Sequence, residues 1–505
     1  MSGAEERLFK DLEWAGLQWD EGPVVGGAYG PYRQSERLFL YHTHIKTLLG
    51  SRKAYRCFCS AERIDHLNRI RHEKGLPLGY DRKCVDVPVE QAEERASNGE
   101  AHVIRFHVPQ QYPRYDDLVY GKSGHGDAKS KQHMFDEPVF DDPVLIKTDG
   151  FPTYHFANVV DDKLMQITHV IRGSEWMSST PLHVALYDAF DWIPPRYGHV
   201  PLLVDANRQK LSKRNLDSDI SSFRDKQGVF PETLTNFAAL LGWSHQQKSD
   251  VMNLSELESI FDLKITKGNT IVAFEKLNFL QDQHARRRIE AHGEQFEQMI
   301  RDVAVVLLDR YGAAEITKFI SKRKLRDVIA STLETESLVY QNPQQFVDSV
   351  DVFLRDDYSL KRSPLKDIIA EPSVLPDIRV AATTLLFVPN EAWTRETHRV
   401  NLAQLQIEGP TTTSSERAPS AAKAGKKNLY AFLRWALLGG AQGPSIPDTM
   451  EILGRDTCER RIREAVLLAR ELENEKTSAK ISVQQVPKGQ WQSHSLPSAS
   501  VKCAV

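Results

Sequence analysis

The sequence predicts an α/β domain carrying an α+β insertion, followed by an all-α half. Three observations carry this. An apolar run, Ile167–Ile171, leads into a helix opened by Ser179 and Thr180 with Pro181 in its first turn, the strand-then-helix order of a doubly wound parallel sheet. From Lys53 to Gly150 the pattern changes to short β-like runs separated by polar turns. From about residue 291 to 485, apolar residues recur at helical spacing.

In chain order, Glu5 to Ala15 places Leu8, Leu12 and Ala15 on one stripe, and Gly16 ends it as a helix C-terminal glycine. Ser35 to Leu49 is a second helix, with Leu38, Tyr41, Ile45 and Leu48 on one face and Gly50 closing it. Strand-like runs follow at Ala101–Phe106, Asp117–Tyr120 and Pro143–Lys147. Val200–Val204 reads as a strand running into a polar stretch, Asp205–Asp219. Residues 220–290 read as mostly helical. Low complexity is confined to Gly409–Lys427, expected to be a mobile insertion, and to the last twenty residues, expected to be a disordered tail. Nothing repeats.

Composition is that of an ordinary soluble chain. The 505 residues are long enough for three or four domains, with 41% hydrophobic and 26% charged residues. The longest apolar runs, Phe237–Trp243 and Tyr430–Leu438, are too short or interrupted to span a bilayer, so no membrane partner is expected. Net charge is −3, but positive charge clusters at Arg286–Arg288, at Lys322–Lys324 with Arg326, and at Lys423–Lys427. A nucleic-acid binder needs such local tracks rather than a basic average. Solvated helix faces explain each cluster equally well. The acidic start, Met1 to Glu6, is neither a signal nor a transit peptide. Five cysteines, three of them between positions 57 and 84, do not make a disulfide framework and point to a reducing compartment.

The densest chemistry lies in Lys210-Leu211-Ser212-Lys213-Arg214. Two lysines flanking a small serine beyond a strand end make a cationic clamp suited to charge building up on a triphosphate under attack. A solvated basic loop is the alternative. Upstream lie Phe151 to Asp162, Ile167 to Trp176 and Ser179 to His183; near the start lie Leu17 to Pro23 and Tyr29 to Arg37. In this order the segments resemble a bacterial-type glutamyl-tRNA synthetase from Met1 to about residue 485, with Lys210–Arg214 as the class I lysine-serine-lysine signature.

The resemblance implies a Rossmann-type class I synthetase catalytic domain over 1–52 and 151–219, with an inserted acceptor-binding domain at 53–150. It further implies a stem-contact domain at 220–290, an α-helical anticodon-binding domain at 291–485, and a tail at 486–505. It implies ATP-dependent activation of glutamate and transfer to tRNA(Glu), with tRNA(Gln) left open, in a monomeric chain. Arg172 would take the substrate's side-chain carboxylate, because a guanidinium offers two hydrogen bonds and a full charge that an amide cannot match. Tyr154 and Asn158, four apart on one helical face, would add neutral hydrogen bonds. Glu175 would accept from the ATP ribose or adenine region. Lys210, Ser212, Lys213 and Arg214 would meet the phosphates, with Lys210 and Lys213 as the catalytic cations. ATP is a substrate, Mg²⁺ would accompany it, and no protein base is needed, since the glutamate carboxylate is already a nucleophile.

One departure from the family stands out. Its opening strand, His-x-Gly-His-type loop and helix, on the order of 30–60 residues, have no counterpart here. His42-Thr43-His44 sits inside a plain amphipathic helix. The catalytic domain is therefore expected to be incomplete, and the chain as written to bind tRNA without measurable turnover. Rival readings are a tRNA-binding paralogue, a tRNA-modifying relative (against which the long helical region argues) and a glutaminyl enzyme, whose later domain would be β-barrel. Cys57, Cys59 and Cys84, with Asp86, invite a zinc reading. Three sulfurs and a carboxylate are an uncommon structural set, and free or buried thiols are expected instead. The expected location is the mitochondrial matrix, with a bacterial cytoplasm as the alternative.

Overall fold

The computed structural model describes residues 3–76, 78–124, 142–211, 219–320, 323–335, 338–354, 365–369, 374–405 and 418–484. The chain divides into two compact units, Met1–His284 and Ala285–Val505.

In the first unit, helix α1 (Ala4–Trp14) stops at Gly16, which takes φ 76°. Helix α2 (Leu38–Gly50) buries Tyr41, Ile45 and Leu48, the stripe read from the sequence. An antiparallel sheet orders β1 (Ala54–Cys57), β2 (Val103–Phe106) and β5 (Val144–Ile146) side by side, with Ala54 opposite Phe106 and Ile104 opposite Ile146. Helices α3 (Ala61–Glu73) and α4 (Val89–Ser97) lie between its first two strands in sequence.

The second sheet has the order β4–β3–β7–β6, formed by Gly121–Ser123, Tyr115–Asp117, Arg196–Val200 and His169–Gly173. Strands β3, β7 and β6 run parallel, and β4 folds back as a hairpin on β3. Residues 53–150 thus contribute to both sheets. Helix α5 (Tyr154–Leu164) precedes β6, and α6 (Thr180–Ala189) crosses from β6 to β7. Eight of the ten α6 residues are buried, and its Val184, Ala185 and Leu186 leave no polar face. One apolar core joins α2, the antiparallel sheet, α5 and α6 through Tyr41, Leu48, Phe106, Leu145, Phe156, Val160 and Leu186. A buried ion pair accompanies it: the Arg37 Nε–H donates to Asp161 at 2.6 Å, and the Tyr41 hydroxyl donates to the same carboxylate.

Two strand expectations change. Asp117–Tyr120 is not a strand, because Asp117 Oδ1 accepts the backbone N–H groups of Val119 and Tyr120, both at 2.9 Å, and turns the chain there. Val200–Val204 is split: β7 ends at Val200, Pro201 has no N–H to donate, and β8 (Leu203–Val204) pairs instead with β9 (Thr270–Ile271). Helices α7 (Pro231–Leu240), α8 (Leu254–Ile260) and α9 (Phe274–Ala291) follow, and α9 runs into the second unit.

Every described element of the second unit is helical: α10 (Glu294–Ile320), α11 (Leu325–Leu333), α12 (Pro343–Leu354), α13 (Leu365–Ile368), α14 (Leu375–Thr384), α15 (Arg395–Gln404), α16 (Ala418–Leu438) and α17 (Ile446–Gln484), with two 3₁₀ turns between α14 and α15. The stretch expected to be a mobile insertion is helical from Ala418, its alanines and lysines continuing into the buried run Leu429–Leu438. Helix α17 breaks at Gly454 (φ 75°, ψ 165°). There Arg323 donates to the freed carbonyls of Glu451, Ile452 and Leu453 at 3.2, 2.8 and 3.1 Å.

Candidate active site

In an open parallel sheet, ligands gather beyond the carboxyl ends of the strands. Asp117 ends β3, Arg172 and Gly173 end β6, and His199 and Val200 end β7. Arg172 is half-buried. It donates from Nη2 to the Thr180 hydroxyl at 2.7 Å, from Nη1 to His183 Nδ1 at 3.2 Å and from Nε to His199 Nε2 at 3.3 Å. Its guanidinium also lies 5.3 Å from the centre of the Tyr197 ring. Among the described residues it has no carboxylate within ion-pair distance.

Tyr154 opens α5 and is 43% exposed, which leaves its ring free to meet a small molecule. It packs on Trp176 at 4.6 Å between ring centres and lies 6.0 Å from His183, the imidazole that also receives Arg172. Tyr154 and Arg172 thus both neighbour one histidine. Asn158, one turn along α5, has its Oδ1 buried with no partner. Two glutamate-binding candidates therefore share a neighbour, and the third offers an unspent acceptor.

Glu175 lies in the turn after β6 and forms an exposed ion pair with Lys210, 3.3 Å from Nζ to Oε1. A Cβ at Gly173 would displace the Glu175 carboxylate from its present position. Ser212, Lys213 and Arg214 lie outside the described residues.

Sequence reasoning missed several groups here. The buried His183 imidazole is held neutral, its pKa lowered to about 3 by burial and then by the charge of Arg172. Burial also lowers the pKa of His199, outweighing the opposing pull of Asp117. Burial raises Asp162, on the turn of α5 after Asn158, to about 6, with Arg172 opposing and Asp161 adding to the rise. Its Oδ2 and the hydroxyls of Tyr187 and Tyr197 are buried without partners. Only the helical spacing of Tyr154, Asn158 and Asp162 hinted at any of this.

Away from this cleft, the sulfurs of Cys57, Cys59 and Cys84 lie within 4.8 Å of one another. The Tyr80 hydroxyl stands 3.1 Å from the Cys57 sulfur and 3.6 Å from that of Cys59. A hydrogen bond from Cys84 pulls the Cys57 thiol down to about 4, against the effect of burial, while Cys84 is raised. Asp86, expected as the fourth donor, is exposed and outside the group. Three thiols this close could hold a metal ion, but a closed zinc site takes a fourth Cys, His or carboxylate ligand, and among the described residues none joins the group.

Residues 1–279 match the catalytic domain of class I tRNA synthetases (E and Q), and residues 415–466 match an anticodon-binding domain. The mitochondrial glutamate–tRNA ligase of Schizosaccharomyces pombe is 35% identical over 476 residues, covering 92% of this chain and 82% of that one. That of Clostridioides difficile is 34% identical over 472 residues, covering 92% and 88%. The crystal structure of a glutamate tRNA ligase from Elizabethkingia meningosepticum in complex with its amino acid superposes with a TM-score of 0.69 at 26% identity, covering 92% of this chain and 89% of that one. The chain belongs to the class I glutamate–tRNA ligase family, whose catalytic architecture and helical anticodon-binding region it carries.

Proposed function

We propose that this chain joins glutamate to ATP as glutamyl-adenylate, releases pyrophosphate, and passes the glutamyl group to tRNA(Glu). The observation that carries the reading is Arg172. It is a fixed guanidinium with three neutral acceptors behind it and, among the described residues, no carboxylate against it. A half-buried cation kept free of its own counter-ion favours an anionic side chain over an amide. Tyr154 and the unpartnered Asn158 Oδ1 would orient the amino acid. Its α-carboxylate oxygen would then attack the α-phosphorus, and the bond to pyrophosphate would break. Glu175 would take the ribose or adenine side. Lys210, paired with exposed Glu175, would exchange that partner for the phosphates, joined by Ser212, Lys213 and Arg214. Mg²⁺, brought by the triphosphate, would neutralise its charge.

The test is ATP–pyrophosphate exchange with glutamate and glutamine, and charging of tRNA(Glu) and tRNA(Gln) transcripts. Exchange driven by glutamate alone would support this reading and overturn the expectation of a chain that binds tRNA without measurable turnover. Glutamine working equally well would overturn the role of Arg172. tRNA(Glu) binding with no exchange is the result for a chain keeping RNA recognition alone. For location, the mitochondrial matrix is favoured by the Schizosaccharomyces and Saccharomyces mitochondrial relatives, at 35% and 40% identity. Bacterial relatives are as similar, and imaging of a tagged chain separates the two.

A further inference from the structure

We infer that Asp117 and His199 are positioning residues that hold Arg172 ready for its anionic substrate group by fixing one imidazole tautomer. The inference rests on the reading of Arg172 as the substrate's carboxylate ligand.

His199 is completely buried on β7, between β3 and β6. Its Nδ1 lies 2.5 Å from Asp117 Oδ2. Burial would raise the Asp117 carboxyl, but hydrogen bonds from His199 and from the N–H groups of Tyr120 and Val119 outweigh it and keep Asp117 ionised. An ionised carboxylate only accepts, so the proton between them belongs to His199 Nδ1. The imidazole is neutral, and Nε2 is therefore a bare acceptor. That atom faces the Arg172 Nε–H at 3.3 Å and the Thr180 hydroxyl at 3.2 Å.

His183 repeats the logic. A guanidinium can only donate, so His183 Nδ1 accepts from Arg172, and its Nε2–H is left to donate to His155 Nδ1 at 2.9 Å. Thr180 accepts from Nη2 and can pass its own proton to the Trp176 carbonyl at 3.0 Å. Three of the five N–H donors of Arg172, one on each nitrogen, are thus fixed by neutral atoms, two are left for the substrate, and the carboxylate that organises the set stands one imidazole away. Direct contact with Asp117 would have spent the charge that the substrate needs. The imidazole transmits geometry while keeping the counter-ion at a distance.

The test is Asp117→Asn. The asparagine oxygen can still accept from Val119 and Tyr120, but its amide donates to His199 Nδ1. The imidazole proton then moves to Nε2, donor against donor at Arg172 Nε. Long-range ¹H–¹⁵N spectra read the tautomer, and calorimetric titration reads glutamate and glutamine binding. The wild type should show protonated Nδ1. The variant should show protonated Nε2, with glutamate bound about ten- to a hundredfold more weakly, the usual effect of losing an outer hydrogen-bond partner, and glutamine unchanged. A purely structural Asp117 would lower the melting temperature and leave the ratio of the two affinities alone. Protonated Nε2 in the wild type overturns the inference even if the variant fails to fold. An unchanged ratio in a tautomer-switched variant overturns it too. If Arg172→Gln abolishes the preference and Asp117→Asn does not, only the positioning role falls. If the wild type has no preference for glutamate, the reading of Arg172 falls with it.

Discussion

Arg37 and Asp161 form a buried ion pair, 2.6 Å from Nε to Oδ1, that joins α2 to α5. Arg37 is 1% exposed and also donates to the Pro31 carbonyl at 2.7 Å, so one side chain ties the glycine-rich segment before α2 to the helix bearing Tyr154 and Asn158. Arg37→Ala strands a buried carboxylate, and breaking such a pair costs about 3–5 kcal/mol. Urea unfolding followed by tryptophan fluorescence should show that loss in the first unit. Arg37→Met combined with Asp161→Leu should cost less than either single change, because no charge is left unpaired.

Arg172→Gln keeps hydrogen bonding and removes the charge. In exchange assays kcat/KM for glutamate should fall about thirty- to several-thousandfold, the 2–5 kcal/mol typical of truncating a buried charge contact. The KM for ATP should barely move. A matching loss in ATP affinity would place Arg172 elsewhere in the reaction.

Asp162 sets a pH dependence of stability. Its folded pKa of about 6 lies above the ordinary 3.8, so folding favours the protonated acid. The stability this contributes is complete below pH 3.8 and is lost as pH rises through about 6. Asp162→Asn should therefore stabilise the first unit by up to about 3 kcal/mol above pH 6 and leave it unchanged below pH 4. Thermal melts at pH 4 and pH 7.5 check this. Equal shifts at both would mean that the carboxyl is not the cause.

Cys57, Cys59 and Cys84 are expected to be free thiols. Native mass spectrometry of protein purified without chelator should give a metal-free mass, with the three thiols titrating in the unfolded chain. One zinc per chain would make the cluster a metal site instead.

Local periodicity made α2 and β2 legible because each buries one regular face; α1 was legible from its spacing and closing glycine, although it buries no residue and Leu8 is 53% exposed. Periodicity misread Asp117–Tyr120, where a carboxylate taking two backbone N–H groups overrides an apolar run. It also misread Val200–Val204, where Pro201 redirects the chain to a second partner. Tyr154, Asn158 and Arg172 were recognisable from long motifs around them. His199 and Asp117 were not: they lie 82 residues apart and meet only because β3 and β7 are neighbours.

The break in α17 ties two distant positions into one mutational history. A Cβ at Gly454 would stand 2.8 Å from the Arg323 guanidinium carbon, and the backbone there is left-handed besides. The first obstacle is the movable end of a side chain and vanishes if Arg323 is shortened, whereas the second, φ 75° with ψ 165°, remains at about 1–3 kcal/mol. Replacing the glycine alone adds that strain and displaces Arg323 from three carbonyls, while shortening the arginine first surrenders those contacts alone. Substitutions at 454 and 323 are therefore coupled.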